Sequence, residues 1–364
     1  MSQTALAFQR LANQHIDGER FETPEAVVRW MTAMQAQDYG QAVWAIGLRT
    51  RSATLQEVEQ AIADRKMLRT WPMRGTIHFV APQDARWMLA LSAARMISAA
   101  RRRQEQLDLT PEVLDRCQQI FYDALKGDHQ FTRPQMLDLL ETAGISTAGQ
   151  RGYHILWYAA QNGLICIGPM QEKQQTFALL EDWAPDAKTL NRGEALALLA
   201  ERYFSSHGPA TLQDFAWWAG LTLREARFGL SEVSAAFVSK WIDGKEYWMK
   251  PDLPDQDIPR QSIHLLPGFD EYLLGYTDRS AVLAKEHAPR IVPGGNGIFR
   301  PTLVTNGQVT GDWTRTIKKG QVTIQVRPFA PAPVDEADLW KAAQRYSIFV
   351  GYPLAAADSA APAD

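Results

Sequence analysis

The chain has 364 residues, 46% hydrophobic and 22% charged, which is apolar mass enough for two or three domains with real cores and too little charge excess for a largely disordered chain. Net charge is −3, and the two cysteines, Cys117 and Cys166, stand far apart without Cys-x-x-Cys spacing, which fits a reducing, cytoplasmic setting. No charged leader with an apolar core opens the sequence and no uninterrupted run of about 18 apolar residues occurs, so neither secretion nor membrane insertion is expected.

Helical spacing of apolar residues covers 5–14, 24–34 and 55–64. The second of these opens with Thr23 as cap, Pro24 at the first helical position and Glu25 in the first turn. Residues 42–49 and 68–80 read as β-rich, and Pro82 opens a long Ala- and Arg-rich helix to about Arg103. The outline then repeats. Thr132-Arg133-Pro134 starts a helix ending near Gly144, Ser146 or Thr147 caps another through Gln161, and residues 164–167 with 176–179 form a β-wing. A third round runs from a helix at 191–204, through a short helix capped by Thr211 and a capping box at Thr222–Glu225, to a hairpin turning at Asp243-Gly244. The fold expected is α+β, mostly helical: three tandem winged-helix units at 1–104, 105–186 and 187–250, a β-rich region at 251–350, and a disordered tail at 351–364.

Charge is segregated along this outline. Residues 65–103 carry nine Lys/Arg against Asp84 alone, and residues 279–327 carry eight against Glu286 and Asp312. Such segregation predicts one basic face, the footprint of a nucleic-acid partner. For Arg101-Arg102-Arg103 alone, an ordinary solvated helix face is an equal reading. In the β-rich region, Val304 faces Val309 across an Asn306-Gly307 turn, flanked by Arg300, Arg315, Lys318 and Lys319. An apolar tip with basic shoulders suits a wedge into a nucleic-acid groove, and an ordinary surface hairpin is the alternative.

The stretch Met34-Gln35-Ala36-Gln37-Asp38-Tyr39 puts polar side chains where a fold usually wants apolar ones. In a helix the two glutamines would point about 200° apart; on an extended chain they share a side. Two primary amides on one side can together hold a water or a nucleotide edge. A helix end followed by a solvated turn is the plainer account. Nucleotide-binding P-loop, nucleophile-elbow and His-Glu-x-x-His signatures are absent, and the seven histidines are scattered, so no metal or cofactor is expected. Asp270 and Glu271 offer acid/base chemistry, with capping and pairing to Arg279 the preferred reading.

Taken together, Gln35-Ala36-Gln37-Asp38, the run from Trp71 through Arg74 and Gly75 to His78, Ser206-His207-Gly208-Pro209-Ala210-Thr211 with Asp214 to Trp218, the Leu266–Arg279 stretch, and Asn296-Gly297 leading to the Asn306-Gly307 hairpin resemble the AlkZ-like winged-helix DNA glycosylases over about residues 24–330. The resemblance implies excision of alkylated bases, interstrand crosslinks among them, with catalysis on a Gln–apolar–Gln motif that Gln35, Ala36 and Gln37 match. A sister branch has a carboxylate at the second polar position, where this chain has Gln37. The expected partner is double-stranded DNA with alkylated bases, met by a monomer through Arg74, His78, Arg101, Arg102, Arg103, Arg300, Val304, Asn306, Gly307, Arg315 and Lys318. A non-catalytic winged-helix DNA-binding regulator is the runner-up, and a nucleotide or small-molecule binder the third reading.

Overall fold

The computed structural model describes residues 2–251, 262–295, 297–330 and 334–359. The chain forms two compact units: Met1–Val58 with Ala197–Asp364, and between them in sequence Glu59–Leu196.

The first unit opens with helix Gln3–Asn13, capped by the Ser2 hydroxyl, and helix Pro24–Met31, capped by Thr23. That second helix stops three residues short of the expected Met34, because Thr32 takes φ 69°, a left-handed conformation costly for a β-branched residue. Strand Ala33–Gln35 follows at once. Residues 42–49, expected to be β-rich, lie instead in helix Tyr39–Arg49. Its run from Ala42 to Arg49 is buried throughout, so it shows no amphipathic period, and Asp38 caps it by accepting the Gln41 N–H at 3.2 Å.

The return of the chain supplies most of helix Arg192–Ser206, helices Leu212–Ala219 and Leu223–Val233, and the expected hairpin Val238–Ile242 with Lys245–Met249. Asp243 and Gly244 both have positive φ, as a type I′ turn requires. A five-stranded sheet then forms in the spatial order Leu354–Ser359, Gln321–Pro328, Gln308–Lys318, Thr302–Thr305, Ile263–Leu266. All its pairings are antiparallel except the one made by Leu354–Ser359. That strand corrects the expectation of disorder from 351 onward: its backbone pairs with Gln321–Pro328, whatever its composition, and residues 360–364 lie outside the described residues. Helix Glu336–Val350, for which the sequence pattern raised no expectation, shares the core of this sheet with helix Tyr39–Arg49. Trp44 packs on Tyr346 and Phe349, both at 5.1 Å, and donates from Nε1 to the Leu265 carbonyl. A β-carbon at Gly47 would come within 2.3 Å of the Phe349 ring, so only glycine allows this approach.

In the second unit five strands form one sheet in the order His78–Val80, Leu68–Thr70, Ile165–Gln171, Gln174–Leu179, Phe131–Thr132. Helices Ala85–Gln106, Pro111–Leu125, Arg133–Thr142 and Arg151–Gln161 complete it. No helix among the described residues is long and apolar enough to cross a membrane.

Candidate active site

Between strand Ala33–Gln35 and the Asp38 cap, the chain does not continue as a helix. Ala36 is buried, whereas Gln35 is half-buried and Gln37 exposed, and the chain leaves the strand after Gln35 and bends at Gln37 and Asp38. The Gln35 amide oxygen is buried and accepts no hydrogen bond from the described residues. Asp38 is committed to its helix cap.

Behind Gln35 lies a buried polar cluster. The Gln35 main-chain N–H donates to Glu271 Oε1 at 3.2 Å, and Glu271 Oε2 accepts from Trp218 Nε1 at 2.9 Å. His207 Nε2 stands 3.5 Å from the same Oε2, with both side chains nearly inaccessible. Burial holds the His207 imidazole below its ordinary pKa, and Glu271 opposes this. Asp270 caps the short helix Glu271–Leu274 and forms a two-pronged ion pair with Arg49, at 2.8 and 2.9 Å. Arg49 also donates to Gln14 Oε1, and Gln14 donates to the Tyr276 hydroxyl. Asp270 takes Arg49 as its ion-pair partner, while Arg279 donates to the Leu273 carbonyl and lies over the Trp217 and Phe299 rings. The density of acids and aromatics in residues 265–279, with the Ser206-His207-Gly208 step, was the sequence signal for this cluster. Its partners could not be read there, because they lie up to about 260 residues apart.

Beside the motif is a cavity of about 440 Å³ lined by Gln41, Arg300, Pro301, Asp312, Trp313, Thr314, Arg315 and Arg327. A β-carbon on Gly40 would meet an Arg315 guanidinium nitrogen at 3.3 Å and the Asp38 carboxylate at 3.7 Å, so Arg315 reaches the start of helix Tyr39–Arg49. Arg300 is exposed, 3.9 Å from Asp312, which pairs more closely with Arg327.

The remaining predicted contacts divide. Lys318 is exposed near the tip of hairpin Gln308–Lys318 with Gln321–Pro328, where Lys319 and Gly320 turn with positive φ beside exposed Ile317. The Asn306-Gly307 hairpin forms with Val304 opposite Val309, but the wedge reading of it is corrected. Val304 and Val309 are buried, the Gly307 carbonyl accepts from the Tyr272 hydroxyl, and Asn306 exchanges hydrogen bonds with Ser262. A β-carbon on Gly307 would stand 3.1 Å from Ala7. This turn is core. In the second unit, Arg74 is half-buried on the loop between two strands, and Arg101, Arg102 and Arg103 are exposed on helix Ala85–Gln106, with Arg103 donating to Gln150. His78 is fully buried, its Nδ1 2.8 Å from the Thr76 carbonyl, and so has no surface to offer DNA. Asn296 lies outside the described residues.

A family model described as DNA glycosylase AlkZ-like matches residues 28–349. The curated interstrand DNA cross-link repair glycosylase of Streptomyces sahachiroi is 25% identical over 321 residues, covering 84% of this chain and 85% of that protein. The solved structure of Streptomyces sahachiroi DNA glycosylase AlkZ superposes with a TM-score of 0.80 at 23% identity, over 98% of this chain and 99% of that one.

Proposed function

Since this chain belongs to the AlkZ-like DNA glycosylase family, we propose that it hydrolyses the N-glycosidic bond of alkylated, cationic bases in double-stranded DNA, with Gln35 and Gln37 placing the water. A base alkylated at a ring nitrogen such as N7 of guanine is already positively charged. It leaves with the electron pair of the C1′–N bond and becomes neutral, so no strong general acid is required. The sugar passes through an oxocarbenium-like state; water adds to C1′ and releases its proton. A neutral amide cannot take that proton, but it can accept the water's hydrogen bond and fix where its oxygen sits. Orientation is a large share of such a barrier.

The observation that carries this reading is the Gln35 amide oxygen, a sheltered acceptor with no partner among the described residues. On the same stretch, the burial of Ala36 between the less buried Gln35 and Gln37 supports reading the two glutamines on one side. We read the repeated succession of helices and a β-hairpin as three winged-helix units, acting as a monomer in the cytoplasm. Arg300, Arg315 and Lys318 in one unit and Arg74, Arg101, Arg102 and Arg103 in the other would meet phosphates. The exposed tip at Ile317, Lys318 and Lys319 takes over the groove-facing role first given to Val304, Asn306 and Gly307. Crosslinks, named in the Streptomyces relative, are the substrate to try after simple N7 adducts.

The test is incubation with duplex DNA carrying N7-methylguanine, followed by alkali to cut abasic sites. Gln35→Ala and Gln37→Leu should each lower single-turnover excision about a hundredfold, since one orienting hydrogen bond is worth about 3 kcal/mol in the transition state. Gln37→Glu, able to accept a proton, should retain activity. Wild-type rates in both of the first two variants would refute the amide pair.

A further inference from the structure

Where the protons lie around His207 follows from counting donors. The Ser206 hydroxyl has one hydrogen, and its oxygen lies 2.8 Å from the Arg202 carbonyl, which can only accept. That hydrogen is therefore used. The same oxygen lies 2.8 Å from His207 Nδ1 and can only accept there, so Nδ1 carries a proton. A neutral imidazole then presents a bare Nε2, 3.5 Å from Glu271 Oε2. Two acceptors facing each other in a site closed to water repel, unless one proton lies between them.

We infer that His207 and Glu271 form a buried pair sharing one proton, and that this pair positions Gln35 by holding its main-chain N–H. The inference rests on the proposed role of Gln35 and extends it to two positioning residues. The two carboxylate oxygens act on different neighbours, since Oε1 holds Gln35, while Oε2 holds Trp218 Nε1 and faces the imidazole. Burial lowers the imidazole's basicity and Glu271 opposes this.

The surroundings fix the pair in place. The Tyr203 ring stacks on His207 at 4.8 Å with 12° between planes, and the Tyr276 hydroxyl donates to the His207 carbonyl at 2.6 Å. A β-carbon on Gly275 would come within 2.6 Å of His207 Cδ2, so the imidazole has no room to turn. The charged groups acting on His207 besides Glu271 are Arg10, stacked 3.6 Å over the Tyr276 ring, and Arg49, neutralised by Asp270. The strand that ends at Gln35 is only three residues long. The Glu271 contact holds the last residue of that strand, and a shift of about 1 Å in a reacting group costs on the order of a hundredfold in rate.

Two measurements on the full chain test this. Selective ¹⁵N-histidine labelling should show His207 protonated at Nδ1 and unchanged from pH 6 to 9. An Nε2–H tautomer, or a titration near the ordinary pH 6.5, would overturn the shared proton. Single-turnover excision of N7-methylguanine should fall about ten- to a hundredfold in Glu271→Ala, with affinity for undamaged duplex unchanged. Glu271→Gln puts an amide NH₂ where Oε2 accepts from Trp218 Nε1 if the amide oxygen stays with Gln35, so Glu271→Gln with Trp218→Phe should recover part of the rate; that double variant also decides the matter should Glu271→Ala not fold. Wild-type excision by the Glu271 variants beside an impaired Gln35→Ala overturns the positioning role alone. Wild-type excision by Gln35→Ala overturns the glutamine reading and the positioning role with it, leaving the shared proton to the ¹⁵N result.

Discussion

Asp270→Ala removes the carboxylate paired with Arg49, whose side chain is fully buried. Asp270 accepts two hydrogen bonds from that guanidinium, at 2.8 and 2.9 Å, and a third from the Tyr272 N–H at 2.9 Å. Breaking a buried pair from one side typically costs about 3–5 kcal/mol, because a charge is left without compensation. Arg49 keeps two neutral acceptors, the Ala45 carbonyl and Gln14 Oε1, so the lower end, about 3 kcal/mol, is expected. Urea unfolding followed by tryptophan fluorescence would report it, since Trp44, Trp218 and Trp313 are buried in the same unit. Replacing both partners by Arg49→Met with Asp270→Leu should cost clearly less than Asp270→Ala, because no charge remains to be buried. A loss below about 1 kcal/mol in Asp270→Ala, or an equal loss in the double variant, would refute the reasoning.

Acid should weaken the fold through His264, whose pKa burial pushes down to about 4 against an opposing pull from Asp17. The unfolded chain then binds the proton more readily, so stability present above pH 6.5 is lost as pH falls toward 4, at about 1.4 kcal/mol per unit; unfolding curves of His264→Phe over that range should be flatter. Val304→Ala should destabilise by about 2 kcal/mol, and Gly307→Val further through its positive φ and the Ala7 contact, as read by the thermal midpoint; an unchanged midpoint in both would return the turn to the surface. Affinity for undamaged duplex should fall steeply between about 50 and 200 mM salt, and Arg101→Ala with Arg102→Ala should reduce the slope of log K against log salt by about two; a slope equal to wild type would remove these arginines from the interface.

Local chemistry was legible in the sequence where it is spelled out within a few residues. The Thr211 cap, the capping box at Thr222, the Asp243-Gly244 turn and the Val304–Val309 register all form as the residues indicate. Helix Tyr39–Arg49 misled because full burial erases the polar face that marks a helix. Helices Pro111–Leu125 and Glu336–Val350 carried explicit caps, Thr110 with Pro111 and Asp335, that were there to be read. At the site, Gln35 and Gln37 stood out as polar residues in an apolar context, yet nothing local shows that Gln35 leans on Glu271. The same blindness to long-range packing made an exposed wedge of the Asn306-Gly307 turn: its local pattern is that of a surface hairpin, and only Ala7, Ser262 and Tyr272 reveal it as core.

The interruption of one unit by the other bears on how the enzyme is made. Gln35 leaves the ribosome early, but its partner Glu271 lies 236 residues further along. At about 5–20 residues per second that is a wait of roughly 10 to 50 seconds. During it, Glu59–Leu196 is complete, while the strands from Ile263 onward are still to be made. The nascent chain therefore carries Gln35 without the acceptor of its main-chain N–H until residue 271 has been added. Stalled or truncated products ending before residue 271 would lack the carboxylate that accepts the Gln35 N–H.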